Sequence, residues 1–293
     1  MFFLASIAAA SSPKPVFVGG CQADIRALPP ADSSLLTVFV FLAVILLVIA
    51  VLTRWHRRRV ARRNAYLSSP LPARWELILR RRVPLFSRLP EEIRDRLRKN
   101  VKRFLAEKEF TACGGLRSVS NAMSVTIAGH ACLLLAGRDY HECFPGVASI
   151  LVYPDAFLGR EHTWNLASGT EIVHPAAPLL GEANASGSVV LSWRETLRAS
   201  VFAGNGHNLV LHEFAHHIRP SGSTLLAEIE TGFRRLRSNP SDPVLDSYGA
   251  EDKDEFWAVS VEAFFADAPR LREFHPTLYA ALADFFFLSP ADW

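Results

Sequence analysis

At 293 residues the chain has room for a membrane-crossing segment and one catalytic domain of ordinary size. Its four cysteines (Cys21, Cys113, Cys132, Cys143) form no C-x-x-C pair, which argues against a thiolate zinc site or a disulfide framework and fits a reducing compartment. The net charge of +3 hides an asymmetry, because residues 54–103 hold 17 Lys/Arg against four Asp/Glu while residues 104–293 hold 13 against 23; a basic collar beside a membrane divides charge this way and a globally basic nucleic-acid binder does not, so no direct nucleic-acid partner is expected.

In chain order, residues 1–33 open with an apolar MFFLASIAAA that is too short to span a bilayer and has no positive charge before it. They read as a tail outside the cytoplasm. Residues 35–52, LLTVFVFLAVILLVIAVL, run 18 residues without a charge, the lower limit for a transmembrane helix, placed here at 34–53. RWHRRRVARR follows, six arginines in ten residues, and the positive-inside rule puts the C-terminal side in the cytoplasm of an inner-membrane protein. The lipid bilayer is therefore an expected partner through residues 34–53, and the arginines are expected to meet lipid head groups. Residues 54–74 read as a basic juxtamembrane linker, and 75–293 as the globular domain.

Within that domain Leu89-Pro90-Glu91-Glu92 starts a helix whose apolar stripe is Ile93, Leu97, Val101, Phe104 and Leu105. Residues 122–135, AMSVTIAGHACLLL, lean helical by length although Gly129 weakens them, and His130 reads as a hydrogen-bonded buried histidine. Residues 149–153 and 188–193 are strand-like. Helices are expected over 223–238, 254–267 and 276–288. Strands among flanking helices make the fold class α+β.

Between the second strand and those helices lies HNLVLHEFAHHI, residues 207–218, which contains H-E-x-x-H. A helix capped by Asn205 or Gly206 and ended by Arg219-Pro220 sets His212 and His216 one above the other on one face. Two neutral imidazoles there reach one Zn2+ at about 2.0–2.1 Å, and Glu213, offset by one residue, can take a proton from water at the metal. His217 points about 100° away round the helix and is expected at the surface. A catalytic zinc usually takes a third protein ligand. Glu255 and Glu262, seven apart on one helix face, both qualify.

FLAEKEF (104–110), HACLLL (130–135), ILVYPDAF (150–157), GSVVLSW (187–193), HNLVLHEFAHHI and SYGAEDKDEFWAVSVEAFF (247–265) together resemble the MtfA family of zinc metallopeptidases, whose catalytic core is related to that of anthrax lethal factor. The resemblance implies a zincin-like metallopeptidase domain with a small central sheet and flanking helices. It implies His212 and His216 as ligands and Glu213 as general base. It favours Glu255 as third ligand, because the family places that carboxylate seven residues after a tyrosine, here Tyr248. Glu262 then orients a ligand histidine, and Tyr248 donates its phenol to the oxyanion. Aminopeptidase-like activity and a transcriptional regulator as partner are implied as well. The chain departs from the family where His217-Ile218-Arg219 replaces Lys-Leu-Asp.

The expectation is a membrane-anchored peptidase with one Zn2+ per chain and a peptide or protein substrate. Val189, Val190, Leu191, Ser192 and Trp193 are expected to form an edge strand that pairs with an extended substrate. The rival reading is a membrane-tethered module that sequesters a cytoplasmic protein without peptidase activity.

Overall fold

A computed structural model describes residues 33–155, 157–158, 162–165, 171–174, 178–179, 181–184, 187–201 and 207–293. The tail expected over 1–33 lies outside these apart from Ser33. Contacts divide the chain into two units, residues 1–61 and 62–293.

The first unit holds most of α1 (Ser33–Ser68), a helix long and apolar enough, by length and composition, to cross a membrane. Its Val, Ile, Leu and Phe side chains from Val38 to Leu52 are exposed. The helix continues through the arginines to Ser68, so most of the segment expected as a linker is helical. No Gly or Pro interrupts the run until Pro70, whose ring cannot continue a helix. Just before it the Ser69 hydroxyl donates to the Tyr66 carbonyl at 2.7 Å, closing the last turn.

In the second unit α2 (Ala73–Arg82), α3 (Glu91–Glu107) and α4 (Asn121–Leu133) alternate with β1 (Glu109–Ala112) and β2 (Ser149–Tyr153). The short strands β3 (Phe157–Leu158), β4 (His162–Asn165), β5 (Glu171–His174) and β6 (Pro178–Leu179) pair among themselves, β3 with β6 and β4 with β5. Then come β7 (Gly181–Asn184), β8 (Ser188–Ser192), α5 (Trp193–Val201), α6 (Leu209–Ala215), α7 (Ser223–Ser238), α8 (Lys253–Ala266), α9 (Ala268–Phe274) and α10 (Pro276–Phe286). The unit is mostly helical around one small sheet of order β1-β2-β8-β7. Its first three strands are parallel and β7 is antiparallel to β8.

Two expectations for 188–193 are corrected. β8 is no edge: β2 pairs along one side and β7 along the other, so its backbone groups are engaged. Trp193 is not in the strand but opens α5, because the Ser192 hydroxyl accepts the Glu195 N–H at 3.3 Å and caps the helix.

The predicted stripe of α3 is core: Leu97, Val101 and Phe104 are fully buried. α4 is buried all round from Val125 to Leu133, which is why its sequence shows no helical period. Gly129 in its middle lets α2 approach, since a Cβ there would lie 2.6 Å from Leu79 Cδ2 and from Val83 Cγ2. Phe214 of α6 packs edge-on against Phe104 (ring centroids 5.5 Å apart) and Phe144 (4.7 Å). The Trp257 indole of α8 stacks on Phe286 of α10 and donates to the carbonyls of Ala215 (3.0 Å) and Ile218 (3.1 Å). α6 is thereby fixed from both sides, by aromatic burial and by hydrogen bonds that close its orphan C-terminal carbonyls.

Candidate metal centre

α6 is only seven residues long. Its cap is Asn208, not Asn205 or Gly206: the Asn208 side-chain oxygen accepts the Leu211 N–H at 3.2 Å. His212 lies on the helix, and His216 follows its last residue with φ −59° and ψ −21°, still right-handed. The two rings therefore lie one turn apart and edge-on, with centroids separated by 5.0 Å and planes at 76°. Glu213, also on α6, is buried.

α8 supplies the carboxylates. Asp252 caps it by accepting the N–H groups of Asp254 (2.8 Å) and Glu255 (2.9 Å), which sets Glu255 in the first turn. Glu255 Oε2 lies 2.9 Å from His212 Nε2 and 3.7 Å from His216 Nε2. Among the described residues His212, His216 and Glu255 form the group of metal-ligating type whose donor atoms all fall within 4.8 Å of one another. Glu255 Oε2 is buried and accepts no well-angled hydrogen bond, despite the short distance to His212. Two imidazole nitrogens and a carboxylate oxygen brought this close together are the donor set that a His2Glu metal site uses.

Glu262 is two turns further along α8 and is almost fully buried. Its Oε1 meets His212 Nδ1 at 2.6 Å, and its Oε2 accepts the Asn208 N–H at 2.6 Å and lies 3.3 Å from His207 Nδ1. The two glutamates left open by their spacing thus separate: Glu255 faces Nε2, where a metal would bind, and Glu262 faces Nδ1, where it fixes tautomer and ring plane. Burial by itself would lower the His212 pKa, but the carboxylates of Glu255 and Glu262 beside its two ring nitrogens outweigh it and push the imidazole up to about 10. The site draws a positive charge to this spot. Burial, followed by the charge on His212, holds His216 below its ordinary value.

The Tyr248 ring lies 5.9 Å from that of His212, centroid to centroid, on a half-exposed turn of 3-10 helix (Ser247–Ala250) that Asp246 caps through the Tyr248 N–H. Burial first, then Glu255, Glu251 and Glu213, push its phenol up to about 12, so it keeps its proton at neutral pH. Val189, Val190, Leu191 and Ser192 are buried inside β8, and Trp193 packs partly buried against the core. The structure does not bring them to the centre as a free edge. His217 is half-buried rather than on the surface, with its ring against Phe214 and its Nε2 buried. Burial, then His216 and Lys108, lower its pKa. His130 escaped notice as a site residue because its partners Arg82, Ser200 and Asn208 are remote in sequence, whereas the capping residues Asp246 and Asp252 act within three positions and carried a local signal. Asn208 was visible as a cap-type residue just before the apolar run.

The family described as glucose-regulated metallo-peptidase M90 matches residues 52–287. Mlc titration factor A of Cronobacter sakazakii is 27% identical over 243 residues, covering 76% of this chain and 88% of that protein. Mlc titration factor A of Serratia proteamaculans is 28% identical over 243 residues, covering 74% and 88%. Uncharacterized protein slr2042 of Synechocystis sp. is 28% identical over 248 residues, covering 78% and 89%. With most of its length matched and the His-Glu ligand group in place, the chain belongs to the glucose-regulated metallo-peptidase M90 family, the MtfA family that its motif blocks resemble.

Proposed function

We propose that the protein is a membrane-anchored zinc peptidase whose hydrolytic centre is assembled by α6 and α8. The observation that carries this reading is the convergence of His212, His216 and Glu255 on one point, with the Glu255 oxygen left without a hydrogen bond. His212, His216 and Glu255 would hold the zinc ion, which when bound would lower the pKa of a water and polarise the scissile carbonyl. Glu213, beside the first ligand on α6, takes the proton and passes it to the leaving amine. Tyr248, protonated throughout the neutral range, donates to the oxyanion that develops on the carbonyl. Glu262 holds the His212 ring through Nδ1. With β8 enclosed, the strand offered to an extended substrate is β7, which among the described residues pairs on one side only and lies against α6.

α1 supports anchoring in the inner membrane, with residues 54–63 and the catalytic unit on the cytoplasmic side. A transcriptional regulator is the proposed partner, since relatives carry the name Mlc titration factor A. The same name favours the second reading, a binding module that titrates a partner without cutting it. Glu213→Gln separates the two. In the full chain in detergent, a peptidase keeps one zinc per chain and loses peptide turnover by about 10²–10⁴-fold. Unaltered turnover would remove Glu213 from the mechanism, and a wild type that holds zinc but cuts no peptide would leave the binding module.

A further inference from the structure

α4 carries a histidine that the proposed chemistry does not use. His130 is 2% exposed, and burial holds its pKa down to about 4, so its imidazole is neutral. Its Nε2 lies 3.0 Å from the Arg82 carbonyl, at the end of α2, and 3.3 Å from the Ser200 hydroxyl of α5. The Ser200 hydroxyl already donates to the Thr196 carbonyl at 2.9 Å. A carbonyl can only accept, so the Nε2 of His130 bears the hydrogen and its Nδ1 must accept. The atom 3.0 Å from Nδ1 is the side-chain nitrogen of Asn208.

This contact settles which way the Asn208 amide faces. With its nitrogen turned to His130, its oxygen faces α6 and accepts the Leu211 N–H. The same residue's backbone N–H goes to Glu262 Oε2, and Glu262 Oε1 holds His212 Nδ1 at 2.6 Å. The Arg82 carbonyl, His130, Asn208, Glu262 and His212 thus form one buried line of hydrogen bonds, drawn from α2, α4, α6 and α8, that ends on a metal ligand. The Arg82 carbonyl fixes the tautomer of His130, and His130 in turn fixes the facing of the Asn208 amide.

We infer that His130 is a positioning residue for the metal centre: by orienting the Asn208 amide it sets the start of α6 and the hold of Glu262 on His212, and so tunes zinc affinity from α4. The inference rests on the zinc site of the proposed function but not on peptidase activity.

The test is zinc affinity of the full chain in detergent, measured by competition with a chelating indicator. His130→Leu removes the acceptor for Asn208 and is expected to weaken zinc binding by about 10–100-fold, the range for outer hydrogen-bond partners of a ligand. His130→Gln, whose amide can accept from Asn208 and donate to Arg82, is expected to restore most of that loss. Asn208→Asp keeps the helix cap but turns the donor facing His130 into an acceptor, so it covers the case in which His130→Leu does not fold, and it is expected to weaken zinc binding in the same range. A histidine that only fills space would lower the melting temperature of the metal-free protein and leave the zinc affinity of the folded form unchanged. Wild-type affinity in folded His130→Leu, or in Asn208→Asp, overturns the inference while the zinc site stands. A wild type that takes up no zinc overturns both, and one that binds zinc without cutting peptides removes only the peptidase reading.

Discussion

At the scale of single residues, position on one short helix and one longer one decides who does what. The H-E-x-x-H spacing was readable in the chain because helical periodicity alone places both histidines on one face. The third candidate ligand was left open by spacing, because a seven-residue interval puts Glu255 and Glu262 on the same face of α8. The family resemblance favoured Glu255, and the height of α6 against α8 sets Glu255 beside both histidines. His217 was misplaced for a related reason: a residue turned away from the metal was expected in water, whereas Phe214 and its surroundings cover it. Tyr248 carries a sharp expectation. Its phenol is protonated below about 12, so its donor role does not titrate in the working range. Tyr248→Phe is expected to lower kcat by about 10²–10³-fold with KM and zinc content little changed, as for loss of one oxyanion donor. The alkaline limb of the pH–rate profile should stay where it is. Steady-state kinetics from pH 6 to 10 reads both, and a limb that moves with the substitution would make Tyr248 an acid–base group instead.

At the scale of elements, long periodic segments were legible and pairings were not. α3 and α7 stand where their apolar stripes put them, and α4 is helical although it lacks a stripe, being buried on every side. β8 was recognisable as a strand by its β-branched run, yet whether a strand is central or at an edge belongs to its neighbour. That neighbour is Gly181–Asn184, which has no β-branched residue to announce it. The start of α5, by contrast, was written in Ser192-Trp193-Arg194-Glu195, a serine followed three residues later by a glutamate. The loop before Tyr248 shows how an element is held where no pattern exists. Asp242 Oδ1 accepts the N–H groups of Val244 and Leu245, each at 2.9 Å, and meets His275 Nε2 at 3.0 Å, while Arg235 contacts the other ring nitrogen. Burial works to raise the Asp242 pKa, but the Leu245 and Val244 amides and His275 outweigh it and hold the carboxyl below its ordinary value. A carboxyl depressed in the folded state stabilises above its unfolded value of about 3.9, and its contribution is lost as the pH falls through the folded value. The Val244 and Leu245 amides should therefore lose protection only in acid in the wild type, and already at neutral pH in Asp242→Ala. Hydrogen exchange corrected for intrinsic rates measures this, and equal protection in the two proteins at pH 7 would count against the clamp.

At the scale of the whole chain, the family match begins at residue 52, where the apolar stretch ends. The span and the tail before it lie outside the matched region, and the charge asymmetry visible in the sequence marks the same junction. Within the matched part, α6 and α8 are joined by Glu262, which holds His212 and the Asn208 N–H, and by two further pairs. His216 and Glu255 belong to the candidate metal site, and two residues further along α8 the Trp257 indole grips the carbonyls of Ala215 and Ile218. In topological terms both are cross-links that close the same loop of about 40 residues, and closing a loop that long removes chain entropy whichever bond does it. One closure is removable by a chelator and the other is not. The closures are redundant, so the metal-free protein is expected to stay folded. Trp257→Phe would remove the indole closure and leave the loop more dependent on a bound metal, with Glu262 still holding the start of α6. Limited proteolysis with and without a chelator should then show residues 217–254 cut at least about tenfold faster in the metal-free variant but barely faster in the metal-free wild type, about 1.4 kcal/mol of opening energy for each factor of ten. Equal cutting of the two metal-free proteins would mean that the indole and the metal do not share the task.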